Sequence, residues 1–108
     1  MSPSRARLSD EQIADGLKAV PHWHREGDAL LRTLQAPDFP TAISMVVAVG
    51  EAAEAMDHHP DIDIRWRTLH FSLSTHDAGG ITALDLRLAA VIDSAIESVL
   101  AKAAGTHA

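Results

Sequence analysis

Between Ile62 and Leu73 the apolar residues alternate with polar ones, and the alternation changes parity midway: Ile62, Ile64 and Trp66 are even-numbered, whereas Leu69, Phe71 and Leu73 are odd-numbered. Alternation with a period of two marks a half-buried strand, and a slip of one residue moves its whole apolar set to the other face. One continuous strand here would leave half of its large apolar residues in water. A turn or bulge near Arg67 and Thr68 brings both sets to one core face, so the stretch predicts two antiparallel strands. A lone hairpin is marginal in water, and the rest of the chain must supply something to cover it.

That cover is legible on both sides. Ser9 followed by Gln12 is a capping box, with Leu8 and Ile13 placed as a hydrophobic staple, which predicts a helix over residues 9–18 with Ile13, Leu17 and Val20 on its apolar side. Pro21 closes it. Residues 22–26 and 29–35 then flank Glu26-Gly27-Asp28, a glycine-containing connection of hairpin length, and read as two more antiparallel strands. After the breaker Ala36-Pro37-Asp38, Pro40 sits in the first turn of a second helix running toward Asp57, with Ile43, Val46, Val47 and Gly50 expected on its inner face. Asp77-Ala78-Gly79-Gly80 is a loop, and Thr82 opens a last helix in which Leu84, Leu88, Val91, Ile92, Ala95 and Val99 recur at helical spacing. The order αββαββα predicts an α+β fold: a four-stranded antiparallel sheet with three helices packed on one face. At 108 residues the expectation is a single domain, with residues 1–7 and 104–108 as loose ends.

Composition excludes more than it identifies. The formal charge of −6 speaks against a protein that neutralises many phosphates, and Arg5 and Arg7 alone do not make a nucleic-acid arm. There is no cysteine, hence no thiolate nucleophile, disulfide framework or Cys-ligated zinc. The most apolar run, residues 42–53, is interrupted by Ser44, Gly50 and Glu51 and is short for a membrane span. No secretory signal pattern is visible. A cytoplasmic protein without a nucleic-acid or membrane partner is expected.

The chemistry-bearing residues are histidines, of which the chain has 7. They fall into His22 with His24, and His58 and His59 with His76, while His70 and His107 stand apart. Adjacent histidines diverge in most backbones, so a metal site built on His22, His24, His58 and His59 is poorly supported by ligand spacing. Imidazole titrates near neutrality and transfers protons without large adjustment, which makes proton transfer the natural use of His58, His59 and His76. Pro60 biases His59 toward extended backbone and ends the second helix there. Glu54, four residues before His58, would share a helical face with it if the helix persisted, and would orient its ring. His76 lies where sheet becomes loop. Asp85 forms a Thr-x-x-Asp capping box with Thr82, which by itself accounts for its position. Trp23 and Trp66 read as core or half-buried rings, either of which a flat substrate could stack on.

Taken in order, Glu54, His58-His59-Pro60, Trp66, His76 and Asp85, with Trp23 ahead of the first hairpin and Gly79-Gly80 after His76, resemble the signature of the pterin-4a-carbinolamine dehydratases. The resemblance runs from Leu8 to about Leu100. It departs from the family at His22, where glycine is frequent, and at Leu34-Gln35, where the family's second strand is richer in aromatics. It implies a hydro-lyase that converts 4a-hydroxytetrahydropterin to quinonoid dihydropterin and water. By resemblance His58, His59 and His76 are catalytic and bind the pterin together with Trp23, Glu54 and Asp85 support them, and no metal or redox cofactor is required. It further implies a homo-oligomer, a dimer or tetramer, working in tetrahydropterin recycling beside an aromatic amino acid hydroxylase. The alternative it carries is a non-catalytic binding or dimerisation cofactor on the same fold.

Overall fold

The computed structural model describes residues 6–105. The order is α1 (Asp10–Leu17), β1 (His24–Glu26), β2 (Ala29–Gln35), α2 (Phe39–Met56), β3 (Asp61–Arg65), β4 (Thr68–Leu73) and α3 (Ala83–Gly105), the predicted αββαββα. The four strands form one antiparallel sheet in the order β1-β2-β4-β3.

The parity change resolves as a hairpin. Ile62 lies opposite Phe71 and Ile64 opposite Leu69, so both apolar sets share a face. The connection is Trp66-Arg67, one residue earlier than expected, because Arg65 already pairs with Thr68. This corrects the reading of Trp66 as a core or half-buried ring. It stands at the hairpin tip with φ +55° and is 69 % exposed, with the Arg67 guanidinium 4.8 Å from the ring centroid. Arg67 in turn donates from Nη1 to the carbonyls of Ala36 and Pro37 and ties the tip to the β2–α2 connection.

On β4 burial alternates, with Leu69, Phe71 and Leu73 inside, and Leu30 of β2 joins them. Against this face lie α1, α2 and α3. Ser9 and Gln12 close the capping box reciprocally at the start of α1, and Ile13 is buried beneath it. A methyl group on Gly16 would meet Leu86 at 2.4 Å, which shows how closely α1 approaches α3. β1 begins at His24 rather than at residue 22, because Trp23 N–H donates to the Val20 carbonyl and rounds off the preceding turn.

α2 starts on Asp38, whose carboxylate caps Thr41 N–H. Its inner face is Ala42, Met45, Val49 and Ala53, not the expected set: Ile43 and Val47 are exposed, and Val46 only flanks the core. The helix is apolar on more than one side, so periodicity alone could not say which stripe meets the sheet, and the small residues let it lie close to α3. With 18 residues and mean hydropathy 1.2 it is long and apolar enough for a bilayer, but one stripe of it lies in the core. On α3 the inner face includes Leu88 and Ile92 as expected, together with Ala89 and Ile96. The helix continues through Gly105, and Arg7 forms a bridge with Thr82, so order extends into both expected loose ends; their outer parts, 1–5 and 106–108, lie outside the described residues.

Candidate functional site

The end of α2 decides where the paired histidines point. Asp57 adopts the left-handed conformation at φ 51°, ψ 42°, its N–H reaches the Glu54 carbonyl at 3.1 Å, and His58 N–H reaches the Ala53 carbonyl at 3.2 Å. These are the two bonds of a Schellman ending, and they stop the helix before His58. Glu54 and His58 therefore do not share a helical face, which corrects the expected pairing. His58 swings inward, 8 % exposed, and its Nε2 lies 2.6 Å from Asp85 Oδ1. His59 swings outward, and its Nε2 meets Glu54 Oε1 at 2.7 Å on the surface. The carboxylate expected for one histidine serves its neighbour. Asp57→Gly should preserve both stability and histidine placement, because glycine accepts this backbone freely. Asp57→Val should cost about 1–2 kcal/mol in urea unfolding, the order of the left-handed penalty.

Asp85 performs two tasks that the sequence presented as rivals. Its Oδ2 accepts Thr82 N–H at 2.9 Å, as a capping box requires, while Oδ1 faces His58. It is fully buried, and Thr75 Oγ1 donates to the same Oδ2 at 2.8 Å. Thr75 itself ends the extension of β4 and pairs through its backbone with Gly80, closing the loop that carries His76. His76 is exposed on the short 3-10 turn His76–Ala78. His58, His59 and His76 thus stand at one end of the sheet, on the segments that enter β3 and leave β4, and His76 is joined to His58 through Thr75 and Asp85.

Two predicted site residues lie elsewhere. Trp66 is at the opposite end of the β3–β4 hairpin from the histidines. Trp23 is 4 % exposed, tilted against Phe71 with centroids 6.4 Å apart, and donates from Nε1 to Asp93 Oδ1 at 2.8 Å. Asp93, which also receives Arg32, lies two turns beyond Asp85, about 12 Å along α3 at 1.5 Å per residue. Trp23 is a core ring with its polar edge satisfied. His22 precedes β1 and His24 opens it, at the other edge of the sheet from β3, so they form no common set with His58 and His59. Among the described residues no three His, Cys, Asp or Glu side chains are grouped to hold a metal ion. The sequence assigns Thr75 no role of its own; its signal is parity, since it continues the inward series Leu69, Phe71, Leu73 as a polar residue at a core-facing position.

Residues 6–95 match the sequence profile of the family described as Pterin 4 alpha carbinolamine dehydratase. A protein of Nocardia farcinica named as a pterin-4-alpha-carbinolamine dehydratase is 60 % identical over 86 residues, covering 80 % of this chain and 90 % of its own. One of Roseiflexus castenholzii with the same name is 53 % identical over 91 residues, covering 84 % and 98 %. Among solved structures, the transcriptional coactivator/pterin dehydratase of Brucella melitensis superposes with a TM-score of 0.80 at 27 % identity, covering 83 % of this chain and 98 % of that one. A pterin dehydratase-like RuBisCO assembly factor of the alpha-carboxysome superposes with a TM-score of 0.59 at 17 % identity, a likeness of fold. With a profile spanning most of the chain and relatives this similar, the chain belongs to the pterin 4 alpha carbinolamine dehydratase family.

Proposed function

We propose that this protein dehydrates 4a-hydroxytetrahydropterin to quinonoid dihydropterin, using His58, His59 and His76. The observation that carries the reading is the aimed His58: a ring almost closed off from water, fixed through Nε2 by a fully buried carboxylate, beside two exposed histidines at the same sheet end. In the reaction the lone pair of the pterin ring nitrogen pushes out the 4a-hydroxyl while an acid protonates it, so that it leaves as water. A base then takes a proton from the iminium. Imidazole does either task near neutral pH. His58 and His76 form the acid/base pair, and His59, steadied by Glu54, holds the pterin and assists proton transfer. Asp85 orients His58. The chemistry needs neither a metal nor a redox cofactor, and tetrahydropterin recycling after an aromatic amino acid hydroxylase is the setting in which this substrate arises.

The test is direct: 4a-hydroxytetrahydropterin is generated by such a hydroxylase, and its ultraviolet absorbance is followed with and without the protein. Acceleration well above the spontaneous rate is expected. Decay at the spontaneous rate would sink the reading.

A second reading, a binding or dimerisation cofactor, is favoured by the outer side of α2. There Ile43 and Val47 are exposed beside a groove that continues to Val99 and Ala103 of α3. Burying such a stripe is favourable by roughly 25 cal/mol per Å² of apolar surface. We place self-association of the chain on this face, with cytoplasmic operation as a single domain.

A further inference from the structure

We propose that Thr75 is a positioning residue: by donating to Asp85 Oδ2 it keeps Oδ1 aimed at His58, so that Nε2–H stays committed to Asp85 and Nδ1 is left to exchange protons with substrate. The donors form one buried chain that ends at His58. Leu84 N–H donates to Thr82 Oγ1 at 3.2 Å. The two threonine hydroxyls are 2.8 Å apart, and Thr75 Oγ1 lies 2.8 Å from Asp85 Oδ2. A hydroxyl has one proton and a carboxylate only accepts. The Thr75 proton is therefore spent on Asp85, and the Thr82 proton must point to Thr75 Oγ1. Asp85 Oδ2 receives both Thr75 Oγ1–H and Thr82 N–H, and Oδ1 is left as the acceptor facing His58 Nε2 at 2.6 Å. That contact needs the proton on Nε2.

Every hydrogen in the chain has one direction, and burial enforces it. Thr75 is 1 % exposed and Thr82 and Asp85 are 0 % exposed, so water cannot substitute for a missing donor. Neutral His58 then presents the Nδ1 lone pair as a base, and protonated His58 presents Nδ1–H as an acid. Because the Thr75 backbone also pairs with Gly80, the same residue holds the carboxylate that fixes the His58 tautomer and anchors the loop bearing His76.

The catalytic consequence rests on the dehydratase reading, but the tautomer does not, and the experiment separates them. Protein labelled with ¹⁵N-histidine is observed by long-range proton–nitrogen correlation at a pH where the rings are neutral, with His58 assigned by its loss in His58→Asn. Wild type should show a single His58 form with a protonated Nε2 and an unprotonated Nδ1. Thr75→Val, which keeps shape and removes the donor, should give mixed tautomers and lower kcat about tenfold with KM within about twofold, the order of one lost hydrogen bond. Thr75→Ser should restore both readouts. Should Thr75→Val not fold, Thr75→Ala, which adds no bulk, carries the same expectation. A wild-type His58 protonated on Nδ1, or a Thr75 variant that only melts earlier while keeping tautomer and kcat, would overturn the proposal. Wild type with the expected tautomer and no dehydratase activity would overturn the function and uphold the polarity.

Discussion

Alanine at His58 is expected to slow dehydration of 4a-hydroxytetrahydropterin by ~10²-fold or more, the loss typical of a missing general acid or base. Alanine at His76 should do the same. The two variants part company in stability, and that difference carries the structural content. His58 is the partner of a buried carboxylate, so its removal leaves Asp85 Oδ1 with no donor. A buried polar atom stripped of its partner costs about 1–3 kcal/mol, and about 4–8 °C of Tm is lost per kcal/mol in a domain near this size. His76 is exposed on its turn, and its removal strands nothing buried. Rates and thermal unfolding measured side by side should therefore show both enzymes slow but only His58→Ala melting early. Equal activity of either variant with wild type would remove that histidine from the mechanism. Unchanged melting of His58→Ala would show that Asp85 finds another donor.

How much of this was legible beforehand follows from where the information lies. The hairpin of β3 and β4 was readable because parity is a local property, and so were the α1 cap, the extent of β2 and the order of elements. The inner stripe of α2 was not. Helical periodicity identifies a preferred side only when the other side is polar, and Ile43 and Val47 compete with Met45 and Val49. The partner of each histidine was equally hidden. Spacing pairs Glu54 with His58 if the helix persists, but one left-handed residue, Asp57, turns the chain so that Glu54 meets His59 instead. The sequence reads Asp85 as a cap, yet a carboxylate has two oxygens, and only the packing of α3 against the end of α2 shows that the second one faces an imidazole. Local grammar reaches the elements and the residue types, while the hydrogen-bond partners across elements depend on how the helices are laid on the sheet.

Phe71→Ala is expected to produce the largest loss of stability of any substitution considered, about 3–5 kcal/mol for deleting a buried phenyl ring. Phe71 is 1 % exposed, sits opposite Arg32 of β2 and Ile62 of β3 near the middle of the sheet, and meets Trp23 edge-on-tilt at 44°. The Trp23 ring is in turn hydrogen-bonded to Asp93 of α3, so this aromatic pair links sheet and helix. Urea unfolding of wild type and variant at the same protein concentration measures the cost with any contribution of self-association held constant. Activity assayed well below the transition should change much less than stability, because Thr75, Gly80, Asp85 and His58 hold one another through bonds that do not pass through the Phe71 ring. A loss below about 1 kcal/mol would mean that the cavity closes by collapse, and the Trp23–Phe71 contact would then not be what joins sheet to helix. A variant that stays folded but loses kcat as severely as His58→Ala would instead show that the histidine end of the sheet is set by the core rather than by its own buried hydrogen bonds.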